Sequence, residues 1–310
     1  VVGLEIKYEL VKGDLRRILQ ARAISEDTVA NMKQNLAFAF GYNTLVSDIS
    51  GDARGPRLNL LGVFFGVGAM GVPFGLALLT DRLSHAVLIA SVGALVLVPL
   101  AVIATTRFPP PKQAQGFPLA DAGRLLRDPL MLLMGVMLFL ESGMEITVGG
   151  WTSTFVTEEL VASERTALIL LSLYWAGMML ARLATGTVLG GASAFRILSF
   201  SLLIALAGAA MLLGTDTIGI AAVGVFLLGV GFAAMFPTVL GFIGTRYVAL
   251  AGTAFSAAFV MALSGGMLLP YSAGVLGDRF GMRGALLIVP AALAILAVLL
   301  GILSRRLRRA

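Results

Sequence analysis

Glu141 and Glu145 stand four residues apart in a stretch, 130–155, that is otherwise almost free of charge. On a helix that spacing puts both on one face, a turn apart. Inside a membrane an ionised carboxylate costs several kcal/mol unless it faces a cavity or carries a proton, so the pair suits proton binding or the binding of a polar solute. The competing reading is structural, a hydrogen bond to a neighbouring helix. At about 1.5 Å per residue from Leu130, Glu141 falls near mid-membrane and Glu145 somewhat further out. Trp151 follows Gly149 and Gly150, where a helix can bend; its ring suits either the face of a sugar or an anchor at headgroup depth. Tyr174 and Trp175 lie mid-span in the next apolar run, and being adjacent they cannot both face a cavity well. Arg182 is placed to snorkel or to latch a gate. Asn43 and Asn59 read as gate or capping residues, with solute contact as the other reading.

Other chemistry is scarce. Zero cysteines exclude disulfides, thiolate metal sites and a Cys nucleophile, and the single His85 excludes a histidine cluster. No nucleophile with its base and no phosphate loop is present, so neither an enzyme nor a bound cofactor or metal is expected. The net charge of +6 is scattered between apolar runs rather than gathered on one face, which argues against nucleic acid.

The elements that must carry these residues are membrane helices. Of 310 residues 58% are hydrophobic and 13% charged, about half the charged share of a soluble domain. The 37 glycines suit helices that pack by close backbone approach. Eight runs reach the roughly 20 residues a bilayer requires: 58–80, 86–106, 130–155, 166–189, 195–213, 218–243, 252–276 and 285–303. A ninth, 36–47, is too short. Gly62 with Gly66, and Gly71 with Gly75, read as packing faces. Pro73, Pro99, Pro237, Pro270 and Pro290 fall inside runs, where each frees a backbone carbonyl and bends its helix.

Alternate loops differ in charge. One side collects Arg54, Arg57, Arg107, Lys112, Arg124, Arg127, Arg196, Arg246 and the arginines of 305–309; the other has Arg82, Arg165, Arg279 and Arg283. The positive-inside rule makes the first side, with the C-terminus, cytoplasmic. Pro109, Pro110 and Pro111 break the longest connection, 107–128, and mark a domain boundary. Residues 1–35 are too charged to span a membrane and carry no signal peptide. They read as water-exposed or as a foreign stretch, and the Val start suggests that the natural N-terminus is missing.

From residue 36 the chain resembles the fucose permease branch of the major facilitator superfamily, whose members are mostly proton-coupled sugar importers. The likeness rests on Gly41-Tyr42-Asn43-Thr44, Arg57-Leu58-Asn59-Leu60, Gly143-Met144-Glu145, Gly150-Trp151, Tyr174-Trp175-Ala176-Gly177 with Arg182, Phe236-Pro237-Thr238, and Gly265-Gly266 with Leu269-Pro270, in that order. It implies that 36–47 ends helix four, that the eight runs are helices five to twelve, that 107–128 joins the halves, and that the first three helices and part of the fourth are absent. It favours Glu145, in the Gly-x-Glu position, as the functional carboxylate. The chain departs from the branch at Ala39, where a glutamate is expected, at Gly62 and Phe65, where amides are expected, and at Gly190, where an acid often follows Arg182 and Gly186.

The expectation is therefore an all-α, polytopic membrane bundle of the major facilitator fold, truncated at its N-terminus. Its regions are a charged segment 1–35, the rest of the N-terminal bundle 36–106, an inter-bundle loop 107–128, and a six-helix bundle 129–310. Its expected function is secondary transport of a small polar solute, a sugar by the resemblance, by alternating access with proton coupling through Glu145 and Glu141. Its expected partners are that solute, the proton and membrane lipid, and it is expected to act as a monomer in the inner membrane. A drug or metabolite exporter, or a truncated non-transporting membrane protein, are the other readings.

Overall fold

Apolar runs with few β-branch clusters and no water to satisfy their peptide groups must form helices, whose backbone bonds close within the segment. A computed structural model describes residues 54–105, 123–125, 127–187 and 192–307. The chain divides into two compact units, 1–61 and 62–310, and the functional geometry lies in the second. Asn43 and most of the 107–128 connection lie outside the described residues, and of Asn59 only its place on a helix is described.

The helices are α1 (Arg54–Leu79), α2 (His85–Thr105), α3 (Pro129–Glu158), α4 (Glu164–Thr187), α5 (Ala194–Leu213), α6 (Ile218–Phe232), α7 (Met235–Arg246), α8 (Ala251–Leu286) and α9 (Ile288–Leu307). Six segments among the described residues are long and apolar enough to cross a membrane, α6 and α7 counting together as one. Two sequence expectations change. The run 218–243 is not one helix: it breaks at Ala233 and Ala234, beside Pro237. The run 252–276 continues to Leu286 through a kink at Gly281, whose φ of 74° lies in the left-handed region. There the carboxylate oxygen Oε1 of Glu159 would stand 3.1 Å from a Cβ.

The bundle α3–α9 is built by backbone contact. At Gly265 of α8 an added Cβ would overlap the carbonyl oxygen of Phe139 in α3, and at Gly229 of α6 it would overlap that of Tyr174 in α4. Lipid tails give apolar side chains no reason to leave them, so close packing through small residues holds such helices together. Gly265→Ala should force α3 from α8 and destabilise the bundle by at least about 2 kcal/mol, seen as a lower melting temperature in detergent. Gly66 of α1 stands 3.0 Å from Met179 by the same measure, but Gly71 and Gly75 meet nothing within 4 Å. These last two therefore form no packed face among the described residues.

Polar links tie the ends. Arg283, just past the Gly281 kink, donates to the carbonyls of Leu213 (2.9 Å) and Thr215 (3.0 Å) and to Asp216 Oδ1 (2.7 Å). Its backbone N–H donates to Glu159 Oε1 at 3.0 Å, so one residue joins the ends of α3, α5 and α8. At the opposite end Asp128 caps α3, its Oδ1 accepting from the Leu130 N–H at 2.8 Å. Its Oδ2 accepts the Tyr247 hydroxyl at 2.6 Å, which fastens the start of α3 to the end of α7. Burial pushes the Asp128 carboxyl up, but the Tyr247 hydroxyl, the Leu130 and Met131 N–H groups and the Arg246 charge together hold it below its ordinary value. Burial, then Asp128, pushes the Tyr247 hydroxyl above its usual range, so it remains a donor at neutral pH. Because folding lowers the carboxyl's value, the link contributes fully above the ordinary carboxylate range and is lost as pH falls through the lower folded value. Tyr247→Phe should cost about 1 kcal/mol at neutral pH, and its difference from the wild type should shrink below pH ~4 in melts across pH.

Candidate functional site

The middle of α3 carries both glutamates, and their surroundings differ. Glu141 is 2% exposed, and neither carboxyl oxygen has a hydrogen-bond partner. It borders a cavity of about 10 Å³ walled by Met137, Leu202, Val239 and Leu296, side chains of α3, α5, α7 and α9. That is at the lower edge of the room one water needs. Such a burial is expensive for a neutral carboxyl and far more so for a charged one.

One turn on, Glu145 is 17% exposed and its Oε2 lies 3.7 Å from Arg182 Nη2, an ion pair between α3 and α4. The guanidinium is 29% exposed. Its Nε–H donates to the carbonyl of Ala233 at 3.3 Å. That carbonyl is available because Pro237, four residues on, has no N–H to offer it. The α6–α7 break and the arginine therefore belong to one arrangement: proline removes a donor, and Arg182 supplies another. The Tyr174 hydroxyl, on the same helix as Arg182, donates to the backbone carbonyl of Glu145 at 3.1 Å.

The other candidates divide between framework and rim. Trp151 donates from its indole to the Pro270 carbonyl at 2.9 Å, and its ring covers Gly274, so it clasps α3 to α8. Tyr174 is fully buried, edge-on to Trp175 at 5.0 Å and to Phe232 at 6.5 Å. Trp175 is half-buried with its ring over Gly149, one turn beyond Glu145. The structure thus brings Glu141, Glu145, Tyr174 and Arg182 together, sets Trp175 beside them, and places Trp151 in a helix contact. Sequence reasoning missed the Ala233 carbonyl. Its signal was Pro237 inside an apolar run, which marks residue 233 as a carbonyl in need of a donor.

The family model of the Major Facilitator Superfamily matches residues 37–270. An uncharacterized transporter, y4wD, of Sinorhizobium fredii is 27% identical over 187 residues, covering 59% of this chain and 48% of that protein. A copper-transporting P-type ATPase of Rhizobium leguminosarum is 50% identical over 52 residues, 17% of this chain and 6% of that one. The chain thus spans less than half the length of these curated relatives. Among solved structures, the E. coli fucose:proton symporter aligns with a TM-score of 0.61 and 19% identity over 84% of this chain and 72% of its own. An inward-facing bacterial homologue of the human lysosomal transporter Spinster aligns with a TM-score of 0.63 and 16% identity, over 85% and 74%. At such identities the structures share a fold and nothing narrower. The helical architecture, the spanning segments and a family match over well over half of its length agree that this chain belongs to the major facilitator superfamily.

Proposed function

We propose that this transporter moves a small polar solute across the inner membrane by alternating access, coupled to protons through Glu145 and Glu141. The observation that carries the reading is a fully buried, unpartnered carboxyl one turn from a carboxylate–guanidinium pair, all within the spanning segments. A group so placed changes its energy greatly on gaining or losing a proton, which is how a proton can bias two conformations. The arginine and lysine asymmetry of the loops supports a cytoplasmic C-terminus. A sugar is the solute suggested by likeness to the fucose permease branch. Export of a less polar compound is the second reading, favoured by the apolar walls around Glu141.

The test is proton movement into proteoliposomes that hold a pH-sensitive dye, challenged in turn with hexoses, hexuronates and a fluorescent cationic drug. A polar solute should carry protons with it in the wild type and not in Glu145→Gln. Proton-coupled movement that survives Glu145→Gln and Glu141→Gln together sinks the proposal, and efflux of the drug alone favours the exporter.

A further inference from the structure

We infer that the solute bound at Arg182 is a small organic anion carrying a carboxylate, taken up with one proton. This deepens the transport reading and rests on it. The recognition chemistry of the bundle points to the class. Residues 129–310 contain no asparagine and no glutamine, the side chains that give and accept hydrogen bonds to a neutral polyol. The hydroxyls are largely spent: Thr147, Ser172, Ser264 and Ser272 each donate to a carbonyl of their own helix. Besides the buried Ser153 hydroxyl, which has no partner among the described residues, what remains deep inside the spans is ionic, namely Glu141, Glu145 and Arg182.

Arg182 has donors to give. A guanidinium carries five N–H groups in a planar fork that matches a carboxylate. Among the described residues only Nε makes a hydrogen bond, to the Ala233 carbonyl. The 3.7 Å to Glu145 is an ion pair without a hydrogen bond, so the Nη donors lack a partner at bonding distance among the described residues. Glu145 therefore balances the charge of Arg182 without filling its fork. A solute carboxylate can fill it if Glu145 gives up its share of the pair by taking a proton. The exchange balances: solute carboxylate plus proton bind, the Arg182–Glu145 contact opens, and Arg182–solute and a neutral Glu145 result with the site's net charge unchanged. The titratable groups facing Glu145 among the described residues are Glu141 on α3 and Tyr174 and Arg182 on α4. Trp175, half-buried beside them, offers an apolar ring to the body of the solute.

The full chain in lipid nanodiscs would be titrated with acetate, lactate and glucuronate, and with glucose as the neutral match to glucuronate, following the fluorescence of Trp151 and Trp175. At least one carboxylate should give a saturable change whose affinity rises as pH falls, approaching about tenfold per unit for one linked proton. Glucose should give none. Glu145→Gln, which removes the competing charge, should bind the carboxylate more tightly and without dependence on pH. Arg182→Lys, which keeps the charge and loses the fork, should weaken binding at least about tenfold. A response to glucose rather than to any carboxylate overturns the inference. So does a carboxylate response unaltered in Arg182→Lys, or silence towards every carboxylate in both the wild type and Glu145→Gln. Proton-coupled hexose movement with silence towards carboxylates overturns this inference alone, whereas loss of all proton coupling removes the transport reading beneath it.

Discussion

Arg182→Ala should abolish proton-coupled transport and destabilise the bundle by about 3 kcal/mol, the lower end of the cost of breaking a buried ion pair. Two losses combine. Glu145 keeps its carboxylate in a largely dry setting without the guanidinium 3.7 Å away, and the Ala233 carbonyl loses the Nε–H that stands in for the N–H Pro237 lacks. The lower end of the range applies because the arginine is 29% exposed and water can partly screen the stranded charge. Thermal melting of the purified variant checks the stability, and proteoliposome proton flux checks the function. Glu145→Gln in the Arg182→Ala background should recover much of the lost stability, since the uncompensated charge is then gone and the two changes are coupled. If Arg182→Ala melts like the wild type, the pair is a surface contact and the site argument fails.

Glu141→Met should have the opposite sign on stability: a gain of about 1–3 kcal/mol, the cost of burying a carboxyl without partners. The side chain is 2% exposed, walled by Met137, Leu202, Val239 and Leu296, and of a volume methionine can match. Proton coupling should fall at the same time, because the group proposed to gain and lose a proton is absent. A site that lowers stability while serving function gives this divergence, whereas a structural residue loses both together. The check is one variant measured twice, by melting and by proton flux. A destabilised Glu141→Met would mean that the carboxyl has a partner after all and belongs to the framework.

Much of the fold could be read from hydropathy alone. Most of the apolar runs became helices with ends shifted by a few residues, the run 252–276 extending to Leu286 and 218–243 splitting in two, because a chain in lipid has no other way to satisfy its peptide groups. Pattern could not separate α6 from α7, since both sides of the break are equally apolar; Pro237 showed where the ladder loses a donor but not what would replace it. The glutamates stood out because charge is rare inside a span, and Arg182 did for the same reason. Their meeting was not legible: 37 residues and a turn separate Glu145 from Arg182, and whether they face each other depends on how α3 and α4 are rotated and how deep each sits.

Trp151 and Tyr174 show the same limit. By type and position each suited a cavity, yet each spends its polar atom on a backbone carbonyl of a neighbouring helix, Pro270 and Glu145 respectively. What the sequence alone determined was the inventory: which segments cross the membrane, and which few side chains inside them are too costly to be there without a use. Tertiary structure decided the assignments, because helix rotation is set by close approach at positions such as Gly229 and Gly265, and those contacts put Glu145 against Arg182 while leaving the neighbouring Glu141 carboxyl buried without a hydrogen bond.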